Sequence, residues 1–261
     1  MKINTDINLK TEVTFVMSVF NEEYKLANAI ESILSQNYQF WFLILVNDGS
    51  TDDTQKVINH YQKIDERITC IVNKTNKGLA YSLNKAIENC NTKYIARMDA
   101  DDIAFPNRLE AQWNFLEKHP EVDVLGTAAE VLTNAGKKKI MLKPQDHNVI
   151  ASSIEKINPF FHSSVMMRSS FINHLGGYDP ECLRAQDYDL WLRGVDKFSY
   201  HNLQEVLMTY LSRNQSFKSI YYGLRIRIIN AFRRRRILIG LLKAILVFIY
   251  GLYIKAVRSF E

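Results

Sequence analysis

Cysteine is scarce in this chain. Its three residues, Cys70, Cys90 and Cys182, are odd in number and at neither CxxC nor metal-ligand spacing. That excludes a disulfide framework and points to a reducing, cytosolic compartment. The start, MKINTDINLK, has no apolar core segment, so no secretory signal is expected there. No internal repeat or low-complexity segment is present. No apolar run is long enough to cross a bilayer uninterrupted: the longest, Ala244 to Ile254, has eleven residues, where about 20 are needed. Acid is nearly missing from the end of the chain. Only Glu261 is acidic after Glu205, against eleven Lys and Arg, while residues 1–205 hold 22 basic and 27 acidic residues. The net charge of +5 therefore hides a mildly acidic body and a strongly basic tail. Such a tail fits an anionic surface, membrane or nucleic acid, or a solvated basic helix.

What is present is ordinary globular material, 47% hydrophobic and 23% charged over 261 residues. That supports one substantial α/β domain, with or without an appendage. The first hundred residues alternate between two periods. VTFVMSVF (13–20), WFLILVN (41–47), ITCIVN (68–73) and KYIARM (93–98) read as buried strands. Residues 22–36, with Asn21 as N-cap, 54 to about 63 and 78–90 read as helices between them. Continuous apolar strands alternating with helices predict a parallel sheet covered on both faces. Further on, Pro106 suits the first turn of a helix to about His119. VDVLG (122–126) reads as a strand, NAGKKK (134–139) as a hairpin tip and SSVMMR (163–168) as a strand. QDYDLWLRG (186–194) opens a short helix, and EVLMTYLS (205–212) reads as an edge strand. The basic, apolar tail begins near Asn214.

Ligands of open α/β sheets bind at the carboxyl ends of the strands, and polar residues collect there. The first strand runs into Phe20, Asn21 and Glu22, the second into Asp48. The third runs into Asn73, Lys77 and Gly78, the fourth into Asp99 and Asp101, with Asp102 beside them read as a helix-side acid or one behind the metal ligands. Each alone reads equally as a solvated loop or a helix cap, and Asp52 and Asp53 read as caps. Their convergence on one rim predicts a crevice. Adjacent carboxylates repel, and the repulsion must be offset by a cation, basic neighbours or solvent. Asp99-Ala100-Asp101 directly after a buried strand suits a hard divalent cation, Mn²⁺ or Mg²⁺, shared with substrate phosphates. Lys77 and Arg97 are candidate donor-side helpers, with charge balance as the alternative for Arg97.

These stretches carry a family likeness. SVFNEE, LVNDGSTDDT, NKGLAYSLNKAI, ARMDADD and GGYDPECLRAQDYDLWLRG occur in the order seen in family 2 glycosyltransferases, and the chain resembles that family over residues 12–212. The resemblance implies a GT-A fold: a single Rossmann-like, mostly parallel sheet flanked by helices. The expected domain is 1–212, with a nucleotide half (12–104) and an acceptor half (105–212), followed by a basic amphipathic helical tail (213–261). It further implies inverting transfer from a nucleotide-diphosphate sugar, by family habit a UDP-sugar, to a glycan or lipid-linked hydroxyl in cell-surface polysaccharide synthesis. Phe20, Asn21, Glu22, Asp48, Lys77, Gly78, Arg97 and Asp99 then fall on the donor side, with Asp48 at the nucleobase. Asp99, Asp101 and His162 fall at the metal, and Asp187 is the base.

Two departures stand out. Many members have Pro at Ser18 and Tyr at Phe20, so Phe20 can stack but offers no hydroxyl. The Glu-Asp common at the base is here Gln186-Asp187, which removes an acidic neighbour. Asp189 competes with Asp187, which is otherwise an N-cap. A structural hydrogen-bonding role is the alternative for His162, and Trp191 reads as core. For the tail, Arg233–Arg236 with the following apolar stretch predicts a helix lying on an anionic membrane. The alternatives are a single span over about Ile237 to Val257, with Lys243 snorkelling, and packing on protein. The expected place is peripheral, at the cytoplasmic face of the cell membrane, with oligomeric state open. A sugar nucleotidyltransferase would need a Gly-rich basic loop after the first strand, which SVFNEE lacks. A nucleic-acid binder would interleave aromatics with the arginines, which the tail does not do. No nucleic-acid partner is expected.

Overall fold

A computed structural model gives the fold; it describes residues 12–133, 136–212, 217–233 and 245–249. The first half follows the expected alternation: β1 (Val13–Val19), α1 (Leu26–Leu34), β2 (Trp41–Asn47), α2 (Thr54–Ile64), β3 (Ile68–Val72), α3 (Leu79–Ile87) and β4 (Tyr94–Arg97). The four strands are parallel in the order β3-β2-β1-β4, with Val13 opposite both Trp41 and Tyr94. Successive side chains of a strand point to opposite faces, which sorts the apolar runs into two cores. Val13, Phe15 and Met17 pack with Leu26, Ile30 and Ile58 of α1 and α2. Val16, Ile44 and Ile95 pack with Leu83 and Ile87 of α3.

The second half comprises β5 (Ile103–Ala104), α4 (Arg108–Lys118), β6 (Val124–Leu132), β7 (Lys138–Met141), α5 (His147–Ser153) and a 3-10 turn (His162–Ser164). Then come β8 (Met166–Arg168), α6 (Ser169–His174), α7 (Gln186–Gly194), β9 (Tyr200–Leu211) and α8 (Phe217–Arg233). The sheet continues β4-β8-β6-β9-β5, with β7 paired to β6 as a hairpin. β8 is antiparallel to both β4 and β6. β6 therefore runs parallel to β4, and its distal end extends past the carboxyl end of the donor strands. The sheet is thus parallel in its first half and mixed as a whole.

Four local expectations are corrected. Asn21 is not a helix cap: it is left-handed at φ 53°, and α1 starts only at Leu26 because residues 22–25 form a turn clasped to the next loop. Pro106 stands two residues before α4 rather than in its first turn. β6 is nearly twice as long as VDVLG. β9 starts at Tyr200 and is not an edge strand throughout, since β5 covers Met208 and Thr209. α8 packs on the body: Ile226 and Asn230 are buried, and Asn230 donates to Asp189 on α7. Residues 245–249 are helical. Arg234 to Arg236 and the rest of the apolar tail lie outside the described residues. Among the described residues no helix is long and apolar enough to cross a membrane.

Candidate active site

Three loops at the carboxyl ends of β1, β2 and β3 are tied to one another. After β1, Asn21 donates its backbone N–H to Ser50 Oγ at 3.1 Å and accepts from Thr51 N–H at 2.9 Å. Glu22 N–H reaches Thr54 Oγ1 at 2.9 Å. After β2, the buried Asp48 closes the third loop: its carboxylate accepts from Asn73 Nδ2 (2.7 Å), Lys77 N–H (2.9 Å) and Gly78 N–H (2.8 Å). Gly49 sits at φ 74°, and a Cβ there would come within 2.7 Å of the Thr75 backbone. Only glycine permits that approach. Gly78, at φ 91°, likewise turns the chain into α3. Phe20 is left half-exposed on the rim and Lys77 projects outward.

After β4, Asp99, Asp101 and Asp102 bring one carboxylate oxygen each to within 4.8 Å of one another. Their charge is partly balanced from below and beside. Arg97 is buried, donates to Asp99 and to Ser163 Oγ (2.7 Å), and so takes the charge-balancing role rather than a surface position facing a donor. Lys25 Nζ lies 3.9 Å from Asp101. Burial opposes ionisation of Asp99, but the adjoining Arg97 charge and hydrogen bond outweigh it and hold the carboxyl low. Asp102 has no direct ion pair among the described residues, although it feels the buried Arg97 and Arg108 charges. Burial first, then the Asp99 charge, push it up to about 7, and its Oδ2 has no hydrogen-bond partner. Its Oδ1 accepts from Leu211 N–H at 2.7 Å, which ties β9 to the cluster. A second arginine, Arg108, is fully buried and donates to the Arg97 carbonyl (2.8 Å) and to Gln112 (3.1 Å). Gln112 passes the brace on to Leu125 and Ser164 carbonyls.

The acceptor side is gathered from distant segments. Asp187 lies in the first turn of α7, where the helix dipole favours an anion, and its Oδ2 accepts from Asn158 Nδ2 at 2.6 Å. Asp189, its rival, is buried, paired with Arg193 Nε one turn on in the same helix at 2.7 Å, and accepts from Asn230 of α8, so it joins α7 to α8. His162 hydrogen-bonds Tyr178 Oη through Nε2 at 2.8 Å. Burial and then the Arg97 charge pull it down to about 3, so the ring is neutral. It is not brought into the carboxylate cluster, and it takes the hydrogen-bonding alternative. It does feel both Asp99 and Asp187 electrostatically, as do Tyr178 and Tyr210. Asp99 of the first half and Asp187 of the second are thus within electrostatic reach of the same three side chains. Trp191 is core. Asp53 is the N-cap of α2 without a side-chain cap bond, while Asp52 accepts from Thr54 N–H and Glu23 N–H in the turn before it.

Sequence reasoning missed Lys25, Asp102 as a member of the cluster, Asn158, Tyr178 and Tyr210. The third acid in ADD was a usable signal for Asp102. The others share no local pattern with the residues they meet.

Known proteins resemble this chain in both sequence and shape. Residues 14–175 match the family model "Glycosyl transferase family 2". EpsE of Bacillus subtilis is 41% identical over 218 residues, covering 81% of this chain and 77% of that protein. WbnJ of Escherichia coli, an O-antigen biosynthesis glycosyltransferase, is 30% identical over 212 residues, 78% of this chain and 81% of that protein. Among solved structures, S. aureus TarS 1-349 in complex with UDP-GlcNAc superposes with a TM-score of 0.71 at 16% identity, over 85% of this chain and 66% of that one. The mannosyltransferase PcManGT from Pyrobaculum calidifontis, in complex with GDP-Man and Mn²⁺, gives 0.63 at 15% identity, over 93% and 75%.

The fold is thus that of the GT-A glycosyltransferases. The chain belongs to glycosyl transferase family 2, and it is an enzyme of glycosyl transfer from a nucleotide-sugar donor.

Proposed function

We propose that the crevice binds a UDP-sugar between the β1–β3 loops and the carboxylates after β4, and that Asp187 serves as base for inverting transfer. The observation that carries this reading is the three-acid cluster. Its repulsion is only partly offset by Arg97 and Lys25, and it keeps a buried, unpartnered carboxylate oxygen on Asp102. Such an oxygen-rich, under-compensated set suits Mn²⁺ or Mg²⁺, with Asp101 and Asp99 as the natural ligands and Asp102 beside them. A divalent cation held there supplies positive charge against the charge that builds on the leaving diphosphate.

The chain's own residues do the rest. Asp48, expected from the sequence at the nucleobase, is buried and spends its carboxylate on Asn73, Lys77 and Gly78, so in this reading it orders the loop that meets the nucleobase. Phe20 offers a ring face. Asp187, oriented by Asn158, takes the proton of the acceptor hydroxyl. That oxygen bonds to the anomeric carbon from the face opposite the diphosphate. The C–O bond to the diphosphate breaks with its electron pair on the leaving oxygen, and the anomeric configuration inverts. His162, neutral and held by Tyr178, acts as a hydrogen-bonding element within electrostatic reach of Asp99 and Asp187.

The acceptor in this reading is a glycan or lipid-linked hydroxyl of a cell-surface polysaccharide, a role supported by the name of the WbnJ relative. The enzyme then works peripherally at the cytoplasmic face of the membrane, with Arg233–Arg236 on anionic headgroups. The test is a panel of UDP-, dTDP- and GDP-sugars with purified protein in Mn²⁺, Mg²⁺ or EDTA, read as nucleotide release and thermal shift. A metal-dependent response to a UDP-sugar is expected. A response confined to another nucleotide would overturn the donor assignment, and equal turnover in EDTA would overturn the metal site.

A further inference from the structure

Asn158 orients Asp187, and Asn158 is itself held through its side chain and its backbone. Its Oδ1 accepts from Phe160 N–H at 3.3 Å, which turns Nδ2 toward the Asp187 carboxylate, 2.6 Å away. Its backbone carbonyl accepts from Lys143 Nζ at 2.9 Å. The same ammonium stands 4.6 Å from the centre of the Phe161 ring, close enough for a cation–π attraction. Lys143 thus grips the Asn158 segment by a carbonyl and a ring face at once.

The two segments that meet here are pinned together by a third. Asn202 of β9 is buried and donates Nδ2 to the Pro144 carbonyl (2.7 Å) and the Pro159 carbonyl (3.1 Å). Its backbone N–H reaches the Gln145 carbonyl at 2.9 Å. These acceptors adjoin Lys143 on one side and Asn158 on the other. Gly126 of β6 lies opposite Asn202 in register. A Cβ there would come within 2.2 Å of Asn202 Oδ1 and 2.6 Å of Phe160 Cδ1, so glycine leaves the room that the amide occupies.

Lys143 is half-buried, and among the described residues it forms no ion pair. Burial disfavours the ammonium and pulls Lys143 down, and the Asp187 carboxylate opposes that shift. The side chain that holds Asn158 is therefore also a cation within electrostatic reach of the base.

We propose that Lys143 is a positioning residue of this enzyme: by holding the Asn158 carbonyl it sets the Asn158 amide, and with it the Asp187 carboxylate, in the orientation that receives the acceptor proton. It touches no reacting atom. This deepens the reading of Asp187 as base and rests on it.

The test compares K143M, K143R, D187N and K143M/D187N with wild type in Mn²⁺. The readout is UDP release from UDP-glucose, UDP-galactose or UDP-N-acetylglucosamine, with water as acceptor, and thermal unfolding is followed alongside. K143M keeps the apolar stem and removes the donor and the charge. Its kcat should fall about tenfold, the equivalent of one charge-assisted hydrogen bond, with the donor KM as in wild type. K143R, which keeps a charged donor, should recover most of that loss. In the D187N background K143M should cost less than about twofold, because a residue that acts through the base has nothing left to position. K143Q, with the same expected fall, takes the place of K143M if that variant lowers thermal stability. Wild-type kcat in K143M and K143Q would overturn the proposal. So would equal losses in K143M and K143R, a loss confined to KM, or a further loss of about tenfold in K143M/D187N. Wild-type turnover in D187N, or turnover of none of the three donors, would instead overturn the reading on which the proposal rests.

Discussion

The two halves of this molecule build their shares of the site in opposite ways. On the donor side, Asn21, Asp48, Gly49 and Asp99 each lie within two residues of a strand end, and the loops after β1, β2 and β3 bond to one another. On the acceptor side, Asp187 depends on Asn158, and His162 on Tyr178, across 29 and 16 residues. Parallel strands deliver their carboxyl ends to one rim as a consequence of topology. A mixed sheet with irregular connections delivers nothing by default, so each acceptor-side residue is held by its own long-range hydrogen bond. The donor half should therefore fail through stability and binding together. The acceptor half should fail through turnover with little change in stability.

Arg97→Met tests the first statement most severely. It leaves a partly accessible Asp99 without its buried partner, which should cost about 1–3 kcal/mol in urea unfolding; a change below about 0.5 kcal/mol would mean that Lys25 and solvent suffice. Gly49→Ala should cost about 2 kcal/mol or more, from a left-handed residue and its contact with the Thr75 backbone, and it should also raise the donor KM. Asn158→Ala tests the second statement. Turnover should fall about tenfold, the loss expected from a freed hydrogen-bond partner of about 1–1.5 kcal/mol. Donor binding, read by thermal shift, should stay as in wild type.

The last effect, comparable to the others only per pH unit, concerns pH. His162 titrates near 6.5 unfolded and about 3 folded. Between those values the unfolded chain binds more protons, so stability is full above about 6.5 and falls as pH drops. The slope attributable to this residue is about 1.4 kcal/mol per pH unit. His162→Asn should flatten the acid side of the stability curve by that amount, in metal-free protein followed by thermal unfolding.

The same contrast explains what could be read in the sequence. The four parallel strands, their helices and the D-x-D cluster were legible because each signal lies within a few consecutive residues. The order and direction of β5 to β9 were not, because short strands such as Met166–Arg168 carry no periodicity that distinguishes parallel from antiparallel pairing. Asn21 misled, since an Asn before a helical pattern looks like a cap whether or not it adopts a left-handed turn. Arg97 and His162 have the residue types of ligands, yet both are buried with other partners, and burial depends on the whole fold. Lys25 and Asn158 gave no signal at all.

The central claim is a division of labour between the three-acid cluster and Asp187. The direct measurement is donor binding and donor turnover, side by side, in Asp101→Asn and Asp187→Asn with Mn²⁺ present. The account predicts that Asp101→Asn loses metal-dependent donor binding, and with it turnover. It predicts that Asp187→Asn binds the donor as wild type does while transfer falls by about 10²–10⁴-fold. Transfer near the wild-type rate in Asp187→Asn, or unchanged metal-dependent binding in Asp101→Asn, would contradict it.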